Sequence, residues 1–461
     1  MDWHFFIWKN IIRKEGFALP SVLFLVTILS LVILSILTLK YLNRQSALLD
    51  VARVKADYAA INGINQALAD LNSVELPGYG EKISREYMYA ENESASIQIQ
   101  RWGIFSVAFS MGRKGKISSE RVAIIASHLT RQFDNALVFA NSHHQLVLTG
   151  TAKIQGNVVT GQNGVTTGTL RNLPTPRTVP IEGNIKKEAS PTFSLAKWKN
   201  VVEEMSMVFD GNLPKNIQSD EIIHLKSNTS IQIDSSVIAE KIKCIFVDGN
   251  IRFKGNIVRR MLPLSIIVRG SVEFQQDASV LGLVAVFSKR QIIVPSNASI
   301  ESVILFSQDS IKVEPNARFS AQLFAPSIDI APSTVLLYPS VLVSFPTKTR
   351  EKNERQVQLA GGSRIEGTVA MLSGSANEYN SRIIIQTGAK VVGTVISENS
   401  LTLDGSVDGS VVTKNFYFYE DPTTYLGWIR TGQINRSALS PVFLMPPGFS
   451  ESDRLDVMDW L

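Results

Sequence analysis

The sequence contains one cysteine, Cys244, and only five histidines among its 461 residues. A single cysteine excludes an intramolecular disulfide, and its position in the apolar run 242–247 predicts a buried thiol rather than a reactive one. The fold must therefore be stabilised by a hydrophobic core or by repeats. Charge is also sparse, at 19% of residues with a net charge of +5. Because the basic residues are scattered, the composition does not indicate nucleic-acid binding.

Motifs of common catalytic and cofactor sites are absent from the sequence as well. It contains neither a GxxxxGK[ST] phosphate loop nor a strand-linked GxGxxG. It has no HExxH or EF-hand pattern, and no serine lies in a nucleophile elbow. We therefore expect no metal, no cofactor and no catalytic residue.

The segment from Phe17 to Leu39 contains no charged residue. As a helix that rises about 1.5 Å per residue, it is long enough to cross a bilayer core of roughly 30 Å. We therefore predict a transmembrane helix over residues 17–39. Lys9, Arg13 and Lys14 precede it, and the positive-inside bias places the N-terminus in the cytoplasm.

The leader before this helix does not fit an ordinary secretory signal, whose apolar core is shorter and ends in a small-residue cleavage site. Instead, a basic leader that ends in Gly16 and is followed by Phe17 and the pair Leu19-Pro20 resembles the type IV prepilin family. The resemblance implies that a prepilin peptidase removes residues 1–16. Gly16, Phe17, Leu19 and Pro20 would then be the processing residues, and Phe17 would begin the mature, N-methylated chain.

The resemblance also implies partners and a location. The helix would pack against other pilin or pseudopilin subunits in a bacterial inner membrane, and the bulk of the chain would be periplasmic or extracellular. The fifth mature residue is Ser21, where pilins usually have Glu. In this respect the chain resembles minor, tip-located pseudopilins of the type IV pilus and type II secretion families. The alternative that the residues leave open is a signal anchor that is never cleaved.

Residues 40–76 predict an amphipathic extension of the same helix. Apolar residues recur there at spacings of three and four, which is the period of a helix with one buried face. The predicted buried residues are Val54, Tyr58, Ile61, Ile64, Leu68 and Leu71. The pattern stops at Pro77-Gly78, so the two segments together predict one helix of roughly 80 Å that packs against a head.

The apolar period changes to two in the region 94–131. Phe105, Val107, Phe109 and Met111 alternate with other residues, and the segment 113–116 is typical of a hairpin turn. We therefore predict a small antiparallel sheet that packs against the buried face of the helix.

Short β-rich runs with a small residue at a fixed point follow. Ala278, Ala298 and Ala317 are 20 and then 19 residues apart, and similar phrases occur at 151–156, 363–367 and 388–393. A period near 20 with a small corner residue is typical of a parallel β-solenoid. A β-sandwich would instead show turns at spacings of about 8 to 12. We predict a mainly β protein with a solenoid over 145–420, whose coils resemble those of bactofilins, the polymer-forming bacterial cytoskeletal proteins.

Two segments depart from the repeat. A proline-rich loop at 172–180 and an amphipathic helix at 195–209 predict an insertion at about 170–215. After Tyr419 the repeats end, and the aromatic residues of the segment 421–461 predict a tail that caps the open end of the solenoid.

The sequence favours a non-enzymatic, membrane-anchored, pilin-like envelope protein that presents a solenoid head for adhesion, priming or scaffolding. The second hypothesis is an unprocessed single-pass scaffold or a protein that binds a surface glycan. The third is a β-helix polysaccharide lyase or hydrolase. In that reading Asp309 and Asp329, which are 20 residues apart, would lie one above the other as an acid/base pair.

Overall fold

The chain forms a mainly β head on a long N-terminal helix, which confirms the predicted fold class. The computed structural model describes residues 18–71, 76–78, 81–171, 173–210, 217–226, 231–233, 241–347, 355–374, 381–449 and 454–461. The head has two parts, a small antiparallel sheet and a large set of parallel strands.

Helix α1 spans Ala18–Leu71 and is continuous over 54 residues. Its N-terminal part, from Leu19 to Val51, is exposed along its whole length. From Ala56 onward one face is buried, and the buried residues are Ala56, Ala59, Ala60, Gly63, Ile64, Ala67, Leu68 and Leu71.

The predicted buried face of this helix was correct in its C-terminal half and wrong in its N-terminal half. Val54 and Tyr58 are 54% and 62% exposed, respectively. Alanines on the adjacent face contact the sheet instead, because small side chains let the helix backbone approach the strands closely.

The antiparallel sheet consists of β1 (Lys82–Ala90), β2 (Glu93–Trp102), β3 (Phe105–Lys114) and β4 (Ile117–His128). It begins at Lys82, earlier than the predicted 94, because a further edge strand precedes the alternating segment. Gly115, at φ +60°, makes the predicted turn between β3 and β4. One face of the sheet packs against α1 and the other faces the parallel strands.

The parallel strands form the solenoid, whose coils are stacked through parallel ladders. Its strands begin at Leu137, earlier than the predicted 145. They are β5 (Leu137–Phe139), β6 (Leu146–Leu148), β7 (Lys153–Gln155), β8 (Val158–Thr160), β9 (Val165–Thr167), β10 (Ile181–Glu182), β11 (Ile185–Lys187), β12 (Ile222–Lys226), β13 (Ile231–Ile233), β14 (Cys244–Asp248), β15 (Ile251–Phe253), β16 (Asn256–Val268), β17 (Val272–Phe274), β18 (Ser279–Ser288), β19 (Ile292–Val294), β20 (Ser299–Glu301), β21 (Val303–Ser307), β22 (Ser310–Val313), β23 (Arg318–Phe319), β24 (Ala321–Phe324), β25 (Ser327–Ile330), β26 (Val335–Ser344), β27 (Gln356–Leu359), β28 (Arg364–Met371), β29 (Arg382–Ile385), β30 (Lys390–Leu403), β31 (Ser406–Glu420), β33 (Trp428–Ile429) and β34 (Gln433–Asn435). Strand β32 (Thr423–Leu426) instead pairs antiparallel with the end of β31.

The repeated phrases mark equivalent points of successive coils. Ile292 pairs with Val272 in the coil on one side and with Ile311 in the coil on the other. The corner alanines are buried, as the repeat predicts; Ala317, for example, is 0% exposed. Gly367 and Gly393 of the two later phrases are direct partners in neighbouring strands.

The order in which coils stack differs from their order in the chain. From β12, successive coils lead to β31, and β31 then pairs with β5, the first solenoid strand of the chain. Strands β8 and β11 continue the stack beyond β5. The coils at 137–187 therefore extend the end that the coils at 222–413 reach last.

The insertion lies in the chain between the coils at 137–187 and the coils at 222–413. Helix α2 (Ala196–Ser206) and the following 3-10 turn Met207–Asp210 lie where the helix at 195–209 was predicted. Strands β10 and β11 also fall inside the predicted insertion of 170–215, but they form a further coil of the solenoid. Trp198, Val202 and Met205 are buried against the outer face of the ladder.

The C-terminal tail does not cap an open end of the solenoid as predicted. Strand β34 lies inside the stack, between β31 and β7, and Ile434 is buried in the solenoid core. The chain then leaves the solenoid and adds β35 (Leu444–Met445) and β36 (Leu455–Trp460) to the edge of β4. The aromatic tail thus joins the two parts of the head.

Candidate assembly and binding surfaces

The exposed part of α1 is the first candidate surface. It is the one helix in the described residues that is long and apolar enough to cross a membrane. Leu19 is 74% exposed, and Pro20 lies in the first turn, where its missing N–H interrupts no hydrogen bond. Gly16 and Phe17, the other predicted processing residues, lie outside the described residues.

Three hydroxyl side chains within this apolar segment bond to the helix itself. The hydroxyls of Thr27, Ser35 and Thr38 each donate to the carbonyl four residues earlier, at 2.7–2.8 Å. A hydroxyl bonded in this way can face lipid without an unmet hydrogen bond. The segment 19–39 is therefore compatible with anchoring by a single membrane pass.

Close backbone contact fixes the head to α1. Gly112 of β3 lies directly over the helix, where a Cβ atom would overlap the carbonyl oxygen of Ala56. Ser110 on the same strand donates to the carbonyl of Ala60 at 2.8 Å. Gly63 on the helix faces Ala95 of β2 just as closely.

Two polar contacts between α1 and the antiparallel sheet lie beside this close backbone contact. Arg121 of β4 donates twice to the carboxylate of Asp57 on α1, at 2.6 and 2.7 Å. This hydrogen bonding holds the pKa of Asp57 below its usual value. Farther along the helix, Tyr87 donates to Asp70 at 2.6 Å, and burial together with this bond raises the pKa of Tyr87 to about 12.

Polar contacts attach the sheet to the solenoid. Gln322 of β24 is 5% exposed; its carbonyl oxygen accepts from the N–H of Ile104, and its amide donates to the Trp102 carbonyl, both at 3.0 Å. The hydroxyl of Tyr338 donates to the carbonyl of Leu444 in the tail at 3.1 Å. These bonds join the hairpin β2–β3 and the strand β35 to the side of the solenoid.

A buried carboxylate joins α2 to the solenoid. Glu398 is 6% exposed and accepts from the N–H groups of Leu195 and Ser373, at 3.2 and 2.8 Å. The ammonium group of Lys199 lies 2.9 Å away. Burial alone would raise the pKa of Glu398, but these donors outweigh it, so its pKa lies below the usual value.

Asp309 and Asp329, the predicted acid/base pair of a lyase or hydrolase, do not lie one above the other. Asp329 pairs in register with Lys312, whereas Asp309 precedes Ser310, the partner of Ser327. The two residues are therefore offset by about 10 Å along the strand direction. The predicted stacking was wrong because successive coils differ in length, so a separation of 20 residues does not guarantee equivalent positions.

The described part of the chain shows neither an exposed cysteine nor a cluster of metal-ligating side chains. Cys244 is fully buried, as predicted, and burial raises the pKa of its thiol to about 12. Among the described residues no three His, Cys, Asp or Glu side chains are grouped so that they could hold a metal ion.

A groove that the sequence analysis did not identify lies on the outer face of the first coils of the stack. Phe209, His224 and Phe246 line it together with Lys226 and Lys289. The alternation of strands β12 and β14 indicates which side chains face outward. It does not indicate that no other described residue covers this part of the ladder.

Comparisons with known proteins leave the family of this chain open. No protein-family model matches it, and no curated protein sequence matches it. Among solved structures, the crystal structure of the competence-associated pilin ComZ from Thermus thermophilus aligns over 89% of this chain and 97% of that chain. The identity is 9% and the TM-score 0.18, too low for the alignment to show a shared fold.

Proposed function

We propose that this protein is a pilin-like subunit of a bacterial cell envelope. Its α1 would anchor it in the inner membrane with the N-terminus in the cytoplasm, and a prepilin peptidase would cut between Gly16 and Phe17. The exposed half of α1 would then pack against other pilin or pseudopilin subunits. The head would be presented on the periplasmic or extracellular side, for adhesion, priming or scaffolding.

The division of α1 into two halves carries this proposal. Residues 19–51 are exposed, and residues 19–39 among them are uncharged, whereas the part from Ala56 to Leu71 is held by the antiparallel sheet. A membrane anchor alone needs about 20 apolar residues and no packed extension. The rigid extension supports a role in which the position of the head relative to neighbouring helices matters.

The proposed head acts by presenting surfaces rather than by catalysis. Hydrogen bonds of Gln322, Tyr338 and Trp102 join the sheet and the solenoid, so that the head would move with α1 as one body. The offset of Asp309 from Asp329 removes the carboxylate pair on which the enzymatic reading depended.

The N-terminus and intact mass of the protein from membranes of its own host test the proposal first. A chain that begins at Phe17, with a methylated amine, would support processing as a pilin. Gly16→Ala should leave the leader attached and abolish recovery in sheared surface fractions. Asn10→Ala, a change within the leader but away from the cleavage point, is the matched control and should be processed normally.

Replacement of residues 1–40 by an unrelated single-span anchor separates assembly from simple anchoring. In the proposed function this chimera reaches the membrane but no longer enters a filament. Full function of the chimera, or a mature chain that still begins at Met1, would instead favour an unprocessed envelope scaffold.

A further inference from the structure

The outer face of the solenoid carries a column of apolar side chains at equivalent positions of successive coils. His224, Phe246, Ile267 and Phe287 are register partners in β12, β14, β16 and β18. The rings of His224 and Phe246 are stacked, with centroids 5.1 Å apart and planes 7° from parallel. We call these four residues, three with rings and one isoleucine, the aromatic column.

Among the described residues, the cover over the aromatic column ends with Phe209 and Asp210, in the 3-10 turn that follows α2. Its ring contacts Phe287 and Phe306, with centroids 6.3 and 6.2 Å apart, and these two side chains are fully buried. Beyond this point Phe246 is half-buried and His224 is exposed. The apolar column thus runs from under the insertion into an open groove of about 490 Å³.

A column of charged side chains runs parallel to the aromatic column. Lys226, Asp248, Arg269 and Lys289 occupy the next outward position of the same four coils, and all four are exposed. Because outward positions are two residues apart along a strand, the two columns are separated by roughly 7 Å. Within each column the rungs are about 4.8 Å apart.

The charges at the groove are of both signs. Arg269 lies 3.6 Å from Asp248, while the ammonium of Lys289 lies 5.8 Å from the ring centre of Phe209. Asp210 contributes a second carboxylate to the lining of the groove. Three cations and two carboxylates therefore border an apolar floor, and the cations are in excess.

We propose that this groove binds a linear acidic polysaccharide that lies along the solenoid axis. The apolar faces of sugar rings would contact Phe209 and Phe246, which are both partly exposed. Uronate-type carboxylates would meet Lys226 and Lys289, since charge-assisted hydrogen bonds to carboxylates are the strong ones. The regular rungs supply repeated contacts to a polymer whose own chemistry repeats.

The groove fits a glycan better than an acidic peptide. An extended peptide gains much of its affinity by pairing with a free strand edge. The groove follows the aromatic column across the strands, and β14 on its floor is already paired with β12 and with β16. A peptide paired with the outer edge of β12 would run parallel to that strand, across the column rather than along it. Asp210 and Asp248 can accept hydrogen bonds from sugar hydroxyls, which are donors that the side chains of an acidic peptide lack.

Calorimetry on the full-length chain in lipid nanodiscs tests this site. The probes are a galacturonate hexamer, the same hexamer with its carboxylates methyl-esterified, and a poly-glutamate of equal charge. We expect the free acid to bind at least tenfold more tightly than the ester, and to bind more weakly as salt screens the charges. Equal affinity for the acid and the ester, or no binding of either, would overturn the proposal.

Variants locate the binding. The double change Lys226→Gln and Lys289→Gln should weaken binding of the acid at least tenfold at an unchanged melting temperature. Lys312→Gln, an exposed lysine on another ladder of the solenoid, is the matched control and should bind normally. Phe246→Ala should weaken binding of both hexamers.

Two results would count against the glycan site: an unchanged affinity in the double variant, or poly-glutamate binding as tight as that of the acid. The second would identify an acidic-peptide site instead. The measurement needs neither cleavage nor filament assembly, so its failure and the failure of the proposed function are distinguishable.

Discussion

A single glycine sets how closely the head approaches α1. Gly112 belongs to an extended strand, and its conformation does not require glycine, so the effect of a side chain there is purely steric. The obstacle is the backbone of α1 at Ala56 and Ala60, which cannot move as a flexible side chain can. We predict that Gly112→Ala destabilises the head by about 1–3 kcal/mol, the usual cost of overpacking.

Thermal unfolding of the purified chain in detergent measures this loss. Gly78→Ala is the matched control, because the nearest described atoms to a Cβ atom there are the carboxylate ends of two side chains, Glu81 at 3.2 Å and Glu204 at 3.8 Å. A melting temperature for Gly112→Ala equal to that of the control would show that the helix and sheet are not held at this distance.

The carboxylate of Glu398 makes the stability of the head depend on pH. Its pKa is lowered in the folded state, so its contribution is complete above its unfolded-state pKa of about 4.3 and is lost as pH falls through the folded-state pKa. We predict that Glu398→Gln lowers the free energy of unfolding by about 2 kcal/mol at pH 7, since donors that face a charged acceptor lose a bond.

Urea unfolding at pH 7 and at about pH 3 distinguishes this role from general surface charge. The difference between the wild-type protein and Glu398→Gln should become smaller at the lower pH, because the stability that the carboxylate contributes is lost as it takes up a proton. Glu301→Gln, at an exposed position of β20, serves as the control. An equal difference at both pH values would contradict the assignment.

At the scale of elements, the tail is held by a row of three aromatic rings. Phe449 lies between Trp198 of α2 and Phe133, with ring centroids 5.0 Å apart in both pairs. Trp198 also donates to the carbonyl of Pro447 at 2.9 Å. These contacts position the tail just before β36, which makes the outer edge of the antiparallel sheet.

We predict that Phe449→Ala loosens this edge and lowers the free energy of unfolding by about 2 kcal/mol, below the usual cost for a fully buried Phe because this ring is half-buried. Hydrogen exchange should rise in residues 454–461. Val442→Ala changes a residue of the same tail that is 77% exposed and should leave exchange unaltered. Unchanged exchange in Phe449→Ala would show that the rings do not hold the tail.

The sequence predicted the elements that depend on local patterns. The period of the corner alanines identified the solenoid strands, because each coil needs a small buried residue at its turn. The period of α1 identified a helix but misplaced its buried face at Val54 and Tyr58. Hydrophobicity alone favours large side chains, whereas the contact with Gly112 requires small ones.

Long-range features could not be read from the same patterns. The tail was expected to cap the solenoid because aromatic residues suit any buried surface, and nothing local distinguishes a solenoid end from the edge of β4. The groove was missed for a related reason. Phe246 looks like an ordinary core residue until the end of the cover at Phe209 is known.

At the scale of the whole molecule, the solenoid is a single stack built from two separate segments of chain. Strand β5 pairs with β31 on one side and with β8 on the other, although β31 lies more than 250 residues later in the chain. In a stack of this kind each coil is stabilised by its immediate neighbours. The coils at 137–187 therefore depend on the coils at 406–435 more than on the chain that follows them.

This dependence predicts how a change at the junction spreads. Leu137 of β5 is fully buried and pairs with Val411 of β31 and Val158 of β8. We expect Leu137→Ala to cost about 2–5 kcal/mol. Hydrogen exchange should rise together in residues 153–160 and 406–413, because both lose the same packed neighbour.

The matched control lies at the other end of the stack. Leu225→Ala in β12 should raise exchange near 222–248 and leave residues 137–160 unchanged, since many coils separate the two sites. If Leu137→Ala raised exchange only within β5, the two segments would be independent units that merely touch. A joint rise in exchange would show that the early and late segments of the head stabilise each other, through contacts between residues that are far apart in the sequence.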